Sequence, residues 1–224
     1  MNEDIGTKEQ LQKKIGIKFN NTDILEIALT HKSYAIENDI KEYNERLEFI
    51  GDSVLSSATA VYLYSKYPGY NEGKLSKIKS AAVSKTTLYA VAKKLGLGNY
   101  IKISNSEEAT GGREKESILA NTVEAIIGAI FLDSGYDVAE KFIHNILTKQ
   151  KINTSDYKSE LQESIQSKYK MTPTYKVLEE TGPDHEKIFL IAVTIGKKQL
   201  GCGSGKSKKE AEQDAAKNAI KKLR

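Results

Sequence analysis

The sequence predicts a mainly α-helical N-terminal domain followed by a small α+β domain whose elements run in the order α-β-β-β-α. Three observations support this fold class. Apolar residues recur at helical spacing from Lys8 to about Thr148, and alternating segments replace that pattern farther along the chain. Charge is divided as well: residues 1–155 carry 20 basic and 20 acidic side chains, whereas residues 156–224 carry 14 and 10.

Five segments of the N-terminal domain show the 3.6-residue apolar spacing of amphipathic helices. They are Asp23–Leu29, Glu45–Tyr67, Glu72–Val83, Thr86–Leu95 and Glu116–Ser134. The breaks between them contain glycine or proline, which end helices. These breaks fall at Pro68-Gly69, at residues 96–98 and at residues 110–112. We therefore predict a helical domain over residues 1–149.

Residues 150–155 are polar and lack periodicity, which predicts a short linker before a second domain at residues 156–224. This second domain is predicted to begin with a helix over Tyr157–Lys170 and to end with a helix over Ser207–Leu223. Between them, alternating segments separated by Gly182-Pro183 and Gly196 predict three strands. The strands are Thr174–Glu179, Lys187–Ile195 and Lys198–Cys202.

The composition excludes several classes of protein. A single cysteine, Cys202, rules out a disulfide framework and a cysteine-based zinc site within one chain. No apolar run approaches the roughly 20 residues of a membrane span, and the N-terminal residues are too polar for a secretory signal. We therefore expect a cytoplasmic protein with no membrane partner. The basic C-terminal third indicates an anionic polymer as the partner.

The predicted helix that begins at Glu45 carries three carboxylates on one face. Glu45, Glu48 and Asp52 stand at i, i+3 and i+7, within about 60° of arc. The opposite face is apolar and consists of Leu47, Ile50, Val54, Ala58 and Val61. Like charges at this spacing weaken a helix, and a divalent cation would offset that effect. A solvated acidic helix face is the alternative, and spacing alone does not decide between them.

A second polar face lies on the predicted helix over Glu116–Ser134. Asn121 and Glu124 share it with Ser117 and Gly128, opposite an apolar face. Because these side chains have little bulk, another helix or a ligand can approach closely. If this face meets the acidic stripe, oxygen ligands converge from two helices, and such a set suits Mg²⁺ or Mn²⁺ rather than zinc.

Phe49 does not fit the pattern of its helix. It lies beside the acidic stripe, about 140° away from Val54, and so cannot join the apolar face of its own helix. Two explanations remain open: contact with a neighbouring helix of the same domain, or contact with a second subunit next to the acidic site.

The run NERLEFIGDSVL at residues 44–55 resembles the signature of the ribonuclease III family. Supporting segments follow in the expected order: LTHKSY at 29–34, NEGKLSKIKSAAVS at 71–84 and ESILANTVEAIIGAIFLDSG at 116–135. The resemblance implies a helical endonuclease domain and an endoribonuclease that cleaves double-stranded RNA. It also implies Mg²⁺ as the cofactor, replaceable by Mn²⁺, and hydrolysis to 5′-phosphate and 3′-hydroxyl ends. The implied substrates are ribosomal RNA precursors and structured messages.

The resemblance also assigns roles by position. Glu48, Asp52 and Glu124 match catalytic, metal-binding carboxylates of the family. Asn121 matches a fourth metal-binding position, where many members have Asp; an amide oxygen can bind a metal but brings no charge. Further matches are two acidic residues of the cleft, Glu45 and Glu72, and the aromatic residue of the homodimer contact, Phe49.

The segment GCGSGKSKKEAEQDAAKNAI at residues 201–220 combines three glycines with a lysine cluster. Gly201, Gly203 and Gly205 are expected to keep a loop thin. Lys206, Lys208 and Lys209 then gather at the N-terminus of the last helix, where free N–H groups and the helix dipole favour phosphate. A solvated basic helix cap is the alternative.

Residues 156–224 as a whole resemble a double-stranded-RNA-binding domain, which favours phosphate contacts for these lysines. The resemblance assigns two further minor-groove contacts. Gln162 and Glu163 match first-helix positions, and His185, in GPDHEK, matches a loop position.

Two other functions are compatible with parts of the sequence. A duplex-RNA-binding protein without useful cleavage is favoured only by Asn121, and the three retained carboxylates oppose it. A DNA-binding regulator would need a recognition helix for the major groove, and the sequence offers no convincing one. The leading interpretation is a homodimeric nuclease that hydrolyses RNA without a small-molecule cofactor and without a Ser, Cys or His nucleophile.

Overall fold

The computed structural model describes residues 6–148, 157–183 and 187–223. The first two thirds of the chain are helical, as their apolar periodicity predicts. The chain divides into two units, Met1–Asn153 and Thr154–Arg224. The predicted linker at residues 150–155 lies outside the described residues. The fold class is as predicted: a helical unit precedes a unit with the order α-β-β-β-α.

The described part of the first unit contains nine α-helices and two short 3₁₀ turns. The helices are α1 (Lys8–Ile15), α2 (Thr22–Leu29), α3 (Lys32–Glu37), α4 (Glu45–Lys66), α5 (Glu72–Ala82), α6 (Lys85–Leu95), α7 (Asn105–Ala109), α8 (Glu116–Ser134) and α9 (Tyr136–Thr148). The five predicted helices agree with these bounds to within one residue at each end. Side-chain caps define several of the starts; for example, Asn71 accepts from the N–H of Lys74, and Ser84 accepts from that of Thr87.

Helices α4 and α8 cross at two glycines and touch through their backbones. A Cβ added at Gly51 would overlap the carbonyl oxygen of Glu124, and one added at Gly128 would overlap that of Leu47. Glycine in a helix interior costs about 1 kcal/mol relative to alanine, so its presence at both positions indicates that the close approach is required.

The core of the first unit surrounds α8. Eleven of its residues are buried, among them Val123, Ile126, Ile127 and Ile130. This helix is also long and apolar enough to cross a membrane, but 61% of its most apolar stretch is buried inside the unit, as in the core helix of a folded domain. The apolar face predicted for α4 is confirmed for Leu47, Val54 and Ala58, which are buried.

The prediction is wrong for the last residue of that face, Val61, which is 50% exposed. Along this part of α4 the neighbouring element is α5, and a surface groove separates the two helices at Val61. The buried face of α4 continues to Leu63, so it turns away from Val61 rather than including it.

The second unit packs two helices on an antiparallel sheet with the strand order β1-β2-β3. Its elements are α10 (Tyr157–Tyr169), β1 (Thr174–Thr181), β2 (Ile188–Ile195), β3 (Lys198–Gly205) and α11 (Lys208–Leu223). Its small core joins both helices to β2 and β3 through Leu161, Ile165, Val193, Leu200, Ala215, Ala216, Ala219 and Ile220.

The glycines at 201, 203 and 205 do not form a loop, which corrects the sequence-based expectation. They lie in β3, which continues beyond Cys202 to Gly205. A Cβ at Gly203 would overlap the backbone nitrogen of Ala215, and one at Gly205 would press on the backbone of Ala211. These positions lack side chains because the alanine face of α11 lies directly against the strand.

Replacing Gly51 by alanine tests the crossing of α4 and α8. We expect Gly51→Ala to lower the free energy of unfolding by about 3 kcal/mol, because the new methyl group must separate two packed backbones. The measurement is denaturant unfolding followed by circular dichroism.

Gly73→Ala is the matched control for this prediction. Gly73 also lies in a helix, but its added Cβ would meet only the side chain of Asn71, at 3.9 Å. We expect this change to leave stability unaltered or to raise it by about 0.5–1 kcal/mol. Equal unfolding free energies for the two variants would contradict the close crossing.

Candidate active site

The crossing of α4 and α8 brings the two predicted polar faces together. Gly51 lies at the contact, touches the backbone of Glu124 and is followed directly by Asp52. Glu48 lies one turn earlier on α4, and Asn121 one turn earlier on α8. Asp52 is exposed, whereas the other three side chains are half-buried. On the acidic stripe of α4, Glu45 and Asp52 are therefore solvated and only Glu48 is partly withdrawn from water, as Glu124 is on α8.

Glu124 has the most perturbed carboxyl group of the site. Burial raises its pKa to about 7, and the negative charges of Asp52 and Glu48 add to that effect, while Lys85 opposes it. The carboxylate is thus held in a position where its charged form is disfavoured unless a cation is present.

The pKa of the Glu48 carboxyl group is raised as well. Burial raises its pKa first, and the charges of Glu45 and Asp52 raise it further. The Asn121 side chain forms a hydrogen bond with Glu48 that lowers the pKa again. Because a carboxylate can only accept, the Asn121 amide is the donor, a role that an ionised Asp could not fill.

Lys85 is a member of this site that the sequence did not indicate. It is the first residue of α6, exposed, and its charge lowers the pKa of both Glu48 and Glu124. The hydroxyl of Thr86 donates to the carboxylate of Glu116 at 2.9 Å, which ties the first turn of α6 to that of α8. No spacing rule relates residue 85 to residues 48 and 124, so only the packing of α6 on α8 reveals it.

Glu45 and Glu72, the two further acidic residues expected in the cleft, lie on different helices and have different hydrogen-bond partners. Glu45 is exposed in the first turn of α4, its charge acts on Glu48, and its carboxylate accepts from Lys32 Nζ at 3.2 Å. Glu72 is exposed at the start of α5, where its carboxylate accepts from the hydroxyl of Ser76 at 2.7 Å.

The donor set fits a hard divalent cation. Glu48, Asp52 and Glu124 supply carboxylate oxygens and Asn121 supplies an amide, and such oxygen ligands suit Mg²⁺ or Mn²⁺. Within residues 6–148, 157–183 and 187–223, no three His, Cys, Asp or Glu side chains are drawn into a closed metal cluster. The fit therefore rests on the raised pKa values and on the chemistry of the donors.

Phe49 is 76% exposed, which excludes the predicted alternative of packing against a neighbouring helix of its own domain. It stands at the edge of a groove of about 820 Å³. The apolar lining of this groove includes Ile24, Ile27, Ile50 and Leu132. A protruding aromatic ring beside an apolar groove on the same surface can be self-complementary under two-fold symmetry.

The predicted RNA contacts of the second unit lie on its surface, apart from His185, which is outside the described residues. Gln162 and Glu163 are exposed on α10, beside the buried Leu161. The three lysines at the start of α11, Lys206, Lys208 and Lys209, are exposed as well.

The first turn of α11 is partly capped by its own chain. The N–H of Glu210 donates to the hydroxyl of Ser207, and the carboxylate of Glu210 accepts from the N–H of Lys206. Any phosphate at this end is therefore expected to interact mainly with the lysine side chains.

Both units match known families. Residues 21–150 match a family model described as Ribonuclease-III-like, and residues 157–223 match the double-stranded RNA binding motif. Proteins named Ribonuclease 3 are similar over nearly the whole chain. The one from Treponema denticola is 46% identical over 223 residues, covering 96% of this chain and 90% of that protein. The one from Clostridium tetani is 48% identical over 221 residues, covering 96% and 94%.

A solved structure supports the fold of the first unit. The nuclease domain of ribonuclease III from Campylobacter jejuni is 39% identical, with a TM-score of 0.62. The match covers 65% of this chain and 99% of that chain. That structure is described in terms of flexibility in a region involved in dimer formation.

Asn121→Asp tests how this site tolerates charge. A fourth carboxylate, at this half-buried position, would repel the other three and would lose the amide hydrogen bond to Glu48. Without divalent cations we therefore expect a melting temperature lower by about 2–4 °C. Saturating Mg²⁺ should raise the melting temperature of the variant by more than that of the wild type, because the added charge binds the cation more tightly.

Asn145→Asp adds the same charge to an exposed position of α9 and is the control for this measurement. It is expected to change neither the melting temperature nor its response to Mg²⁺. Identical Mg²⁺ responses for Asn121→Asp and the wild type would exclude Asn121 from the cation site.

Proposed function

Because this chain belongs to the ribonuclease III family and is an endoribonuclease of double-stranded RNA, we propose that the cleft between α4 and α8 is its active site. Glu48, Asp52 and Glu124 are the catalytic and metal-binding carboxylates in this proposal, and Asn121 is the neutral fourth ligand. The observation that carries it is Glu124, whose pKa rises to about 7 through burial and through the charges of the other two.

The proposed cofactor is Mg²⁺, with Mn²⁺ able to replace it. Bound to these oxygens, the cation would lower the pKa of water and stabilise charge on the phosphate. Asn121 orients Glu48 through its hydrogen bond. Lys85 favours the ionised forms of Glu48 and Glu124, and so keeps both carboxylates able to act as ligands.

The reaction proposed for this site is in-line hydrolysis of a phosphodiester. A bond forms between water oxygen and phosphorus while the bond from phosphorus to the 3′ oxygen breaks, which leaves a 5′-phosphate and a 3′-hydroxyl. Glu45 and Glu72 would lie along the entrance of the cleft, where their charges disfavour entry of RNA in the absence of cations. Ribosomal RNA precursors and structured messages in the cytoplasm are the proposed substrates.

Duplex RNA is proposed to bind the second unit through phosphates and groove shape. Lys206, Lys208 and Lys209 present three ammonium groups to the backbone, and Gln162, Glu163 and His185 are the proposed minor-groove contacts. Such domains read the A-form helix by its geometry and 2′-hydroxyls rather than by base sequence.

We also propose that the protein acts as a homodimer. Each Phe49 would enter the apolar groove of the partner, and two-fold symmetry would bury both rings at once. Because Phe49 follows Glu48 directly, this contact would place two active sites on one RNA duplex, one for each strand.

Binding and cleavage of RNA can be separated by removing one carboxylate of the proposed active site. Glu124→Gln separates the two functions. We expect this variant to cleave a long RNA duplex at least about 100-fold more slowly in Mg²⁺, because it removes a carboxylate that acts on the reacting phosphate. Its affinity for the duplex, measured by gel shift, should remain within about twofold of the wild-type value.

The control is Glu140→Gln, the same change on α9 away from the cleft, which should cleave like the wild type. A wild-type protein that binds the duplex but leaves it uncut in both Mg²⁺ and Mn²⁺ would contradict the proposed metal-dependent reaction. Full activity of Glu124→Gln would instead move the active site away from α8.

Phe49→Ala tests the dimer. Burial of a Phe side chain contributes about 2 kcal/mol and occurs twice in a symmetric pair, so the dissociation constant should rise by about 100-fold or more. Sedimentation velocity over a range of protein concentrations measures this shift. Tyr64→Ala is the control, since Tyr64 is 75% exposed on the same helix but lies outside the Phe49 groove. A dimer that survives Phe49→Ala unchanged contradicts the proposed contact.

A further inference from the structure

The segment from Val61 to Val83 has an unusual composition. It contains four of the chain's twelve tyrosines and four lysines, with Glu72 as its one acidic residue. The segment forms the end of α4, the turn at Pro68-Gly69 and α5. Aromatic rings interleaved with lysines on a surface are typical of proteins that bind nucleic acid strands.

Some of these tyrosines and lysines contact one another at the turn between α4 and α5. The rings of Tyr67 and Tyr70 stack with their centroids 4.8 Å apart and an angle of 5° between their planes. Lys66 lies over Tyr67, and Lys74 lies 3.9 Å from the centroid of Tyr70. These contacts hold the end of α4 and the start of α5 in a defined arrangement.

A groove of about 370 Å³ lies between the two helices next to this turn. Val61 and Tyr64 line it from α4, and Leu75 and Lys79 line it from α5. Tyr64 is 75% exposed and Val61 is 50% exposed, so the groove presents apolar surface and an aromatic ring to solvent. Its dimensions and its single ammonium group fit a nucleobase with one attached phosphate.

Lys79 connects the groove to the part of α4 that carries the candidate active site. Lys79 Nζ donates to the hydroxyl of Ser56 at 3.4 Å, and Ser56 follows Asp52 by one turn on α4. On the α5 side, Ser76 lines the groove and donates to the carboxylate of Glu72. The helical rise places Tyr64 about 18 Å beyond Asp52 along α4, roughly the axial length of six base pairs of an RNA duplex.

A paired base is not expected to bind in this groove. In a duplex, both faces of each base are covered by its neighbours, so no base is free to lie against Tyr64. A nucleotide in an internal loop or at an unpaired end can leave the stack and place its base on an exposed ring.

We propose that this groove binds an unpaired nucleotide of the RNA substrate, with the base on Tyr64 between Val61 and Leu75 and its phosphate on Lys79. The protein would thereby favour stems that have an unpaired base about six nucleotides from the cleaved bond. This inference rests on the proposed active site, because that site sets the distance.

The test is competitive cleavage of two hairpin RNAs by the full-length wild-type protein in Mg²⁺. The RNAs differ only in whether the nucleotides about six positions from the cleavage site are paired. We expect the RNA with unpaired nucleotides to be cleaved with about tenfold higher kcat/KM. Base stacking on one aromatic ring is sufficient for a ratio of this size.

Variants of Tyr64 separate stacking from apolar contact. Tyr64→Leu should reduce the ratio to about one and leave cleavage of the fully paired RNA unchanged, while Tyr64→Phe should retain the preference. Ile36→Ala, which removes another exposed apolar side chain, 71% exposed on α3, is the control and should behave like the wild type.

The outcomes separate this inference from the active-site proposal. If neither RNA is cleaved, or if Glu124→Gln cleaves both normally, the active-site proposal fails. If the wild type cleaves both RNAs equally, or if its preference survives Tyr64→Leu, the groove does not bind an unpaired nucleotide. Equal loss of cleavage on both RNAs in Tyr64→Leu, together with a shift toward monomer in sedimentation, would assign the groove to a contact between copies of the chain.

Discussion

The backbone contact between α4 and α8 is the constraint on which the site depends. Gly51 and Gly128 allow the two helices to approach more closely than any side chain would permit. This approach sets the separation of Asp52 and Glu124, whose Cα atoms lie next to the contact. A wider crossing would return Glu124 to water, and its repulsion from Asp52 would then be screened. The two glycines therefore account both for the close packing of the helices and for the repulsion between the carboxylates.

The charge of the site is moderated by the chain itself. Three carboxylates gather where two of them are half-buried, which destabilises the charged forms. Asn121 contributes a donor in place of a further charge, and Lys85 contributes an ammonium group from α6. With Asn121 and Lys85, the site is less negative than one with four carboxylates. The folded protein is therefore less destabilised by charge repulsion when no cation is bound. Cation binding is expected to be correspondingly weaker.

Helix α4 serves three purposes on different faces. One face packs in the core, a second carries the carboxylates, and the remaining surface exposes two aromatic rings, Phe49 and Tyr64. Each ring stands beside an apolar groove on the protein surface. Exposed aromatic side chains lower solubility, so their presence at two positions of one helix calls for a binding role. The proposed partners are a second subunit at Phe49 and the RNA substrate at Tyr64.

The sequence by itself determined five of the nine helices described in the first unit, the element order of the second unit and the order of the two units. These features depend on local periodicity and on glycine and proline. The sequence also identified Glu48, Asp52, Asn121 and Glu124 as candidates. Only the tertiary structure decided that the two polar faces meet, that Lys85 joins them, and that Gly201, Gly203 and Gly205 lie in a strand under α11. Spacing along the chain defines which side chains share a face, but it contains no information about which distant face packs against it.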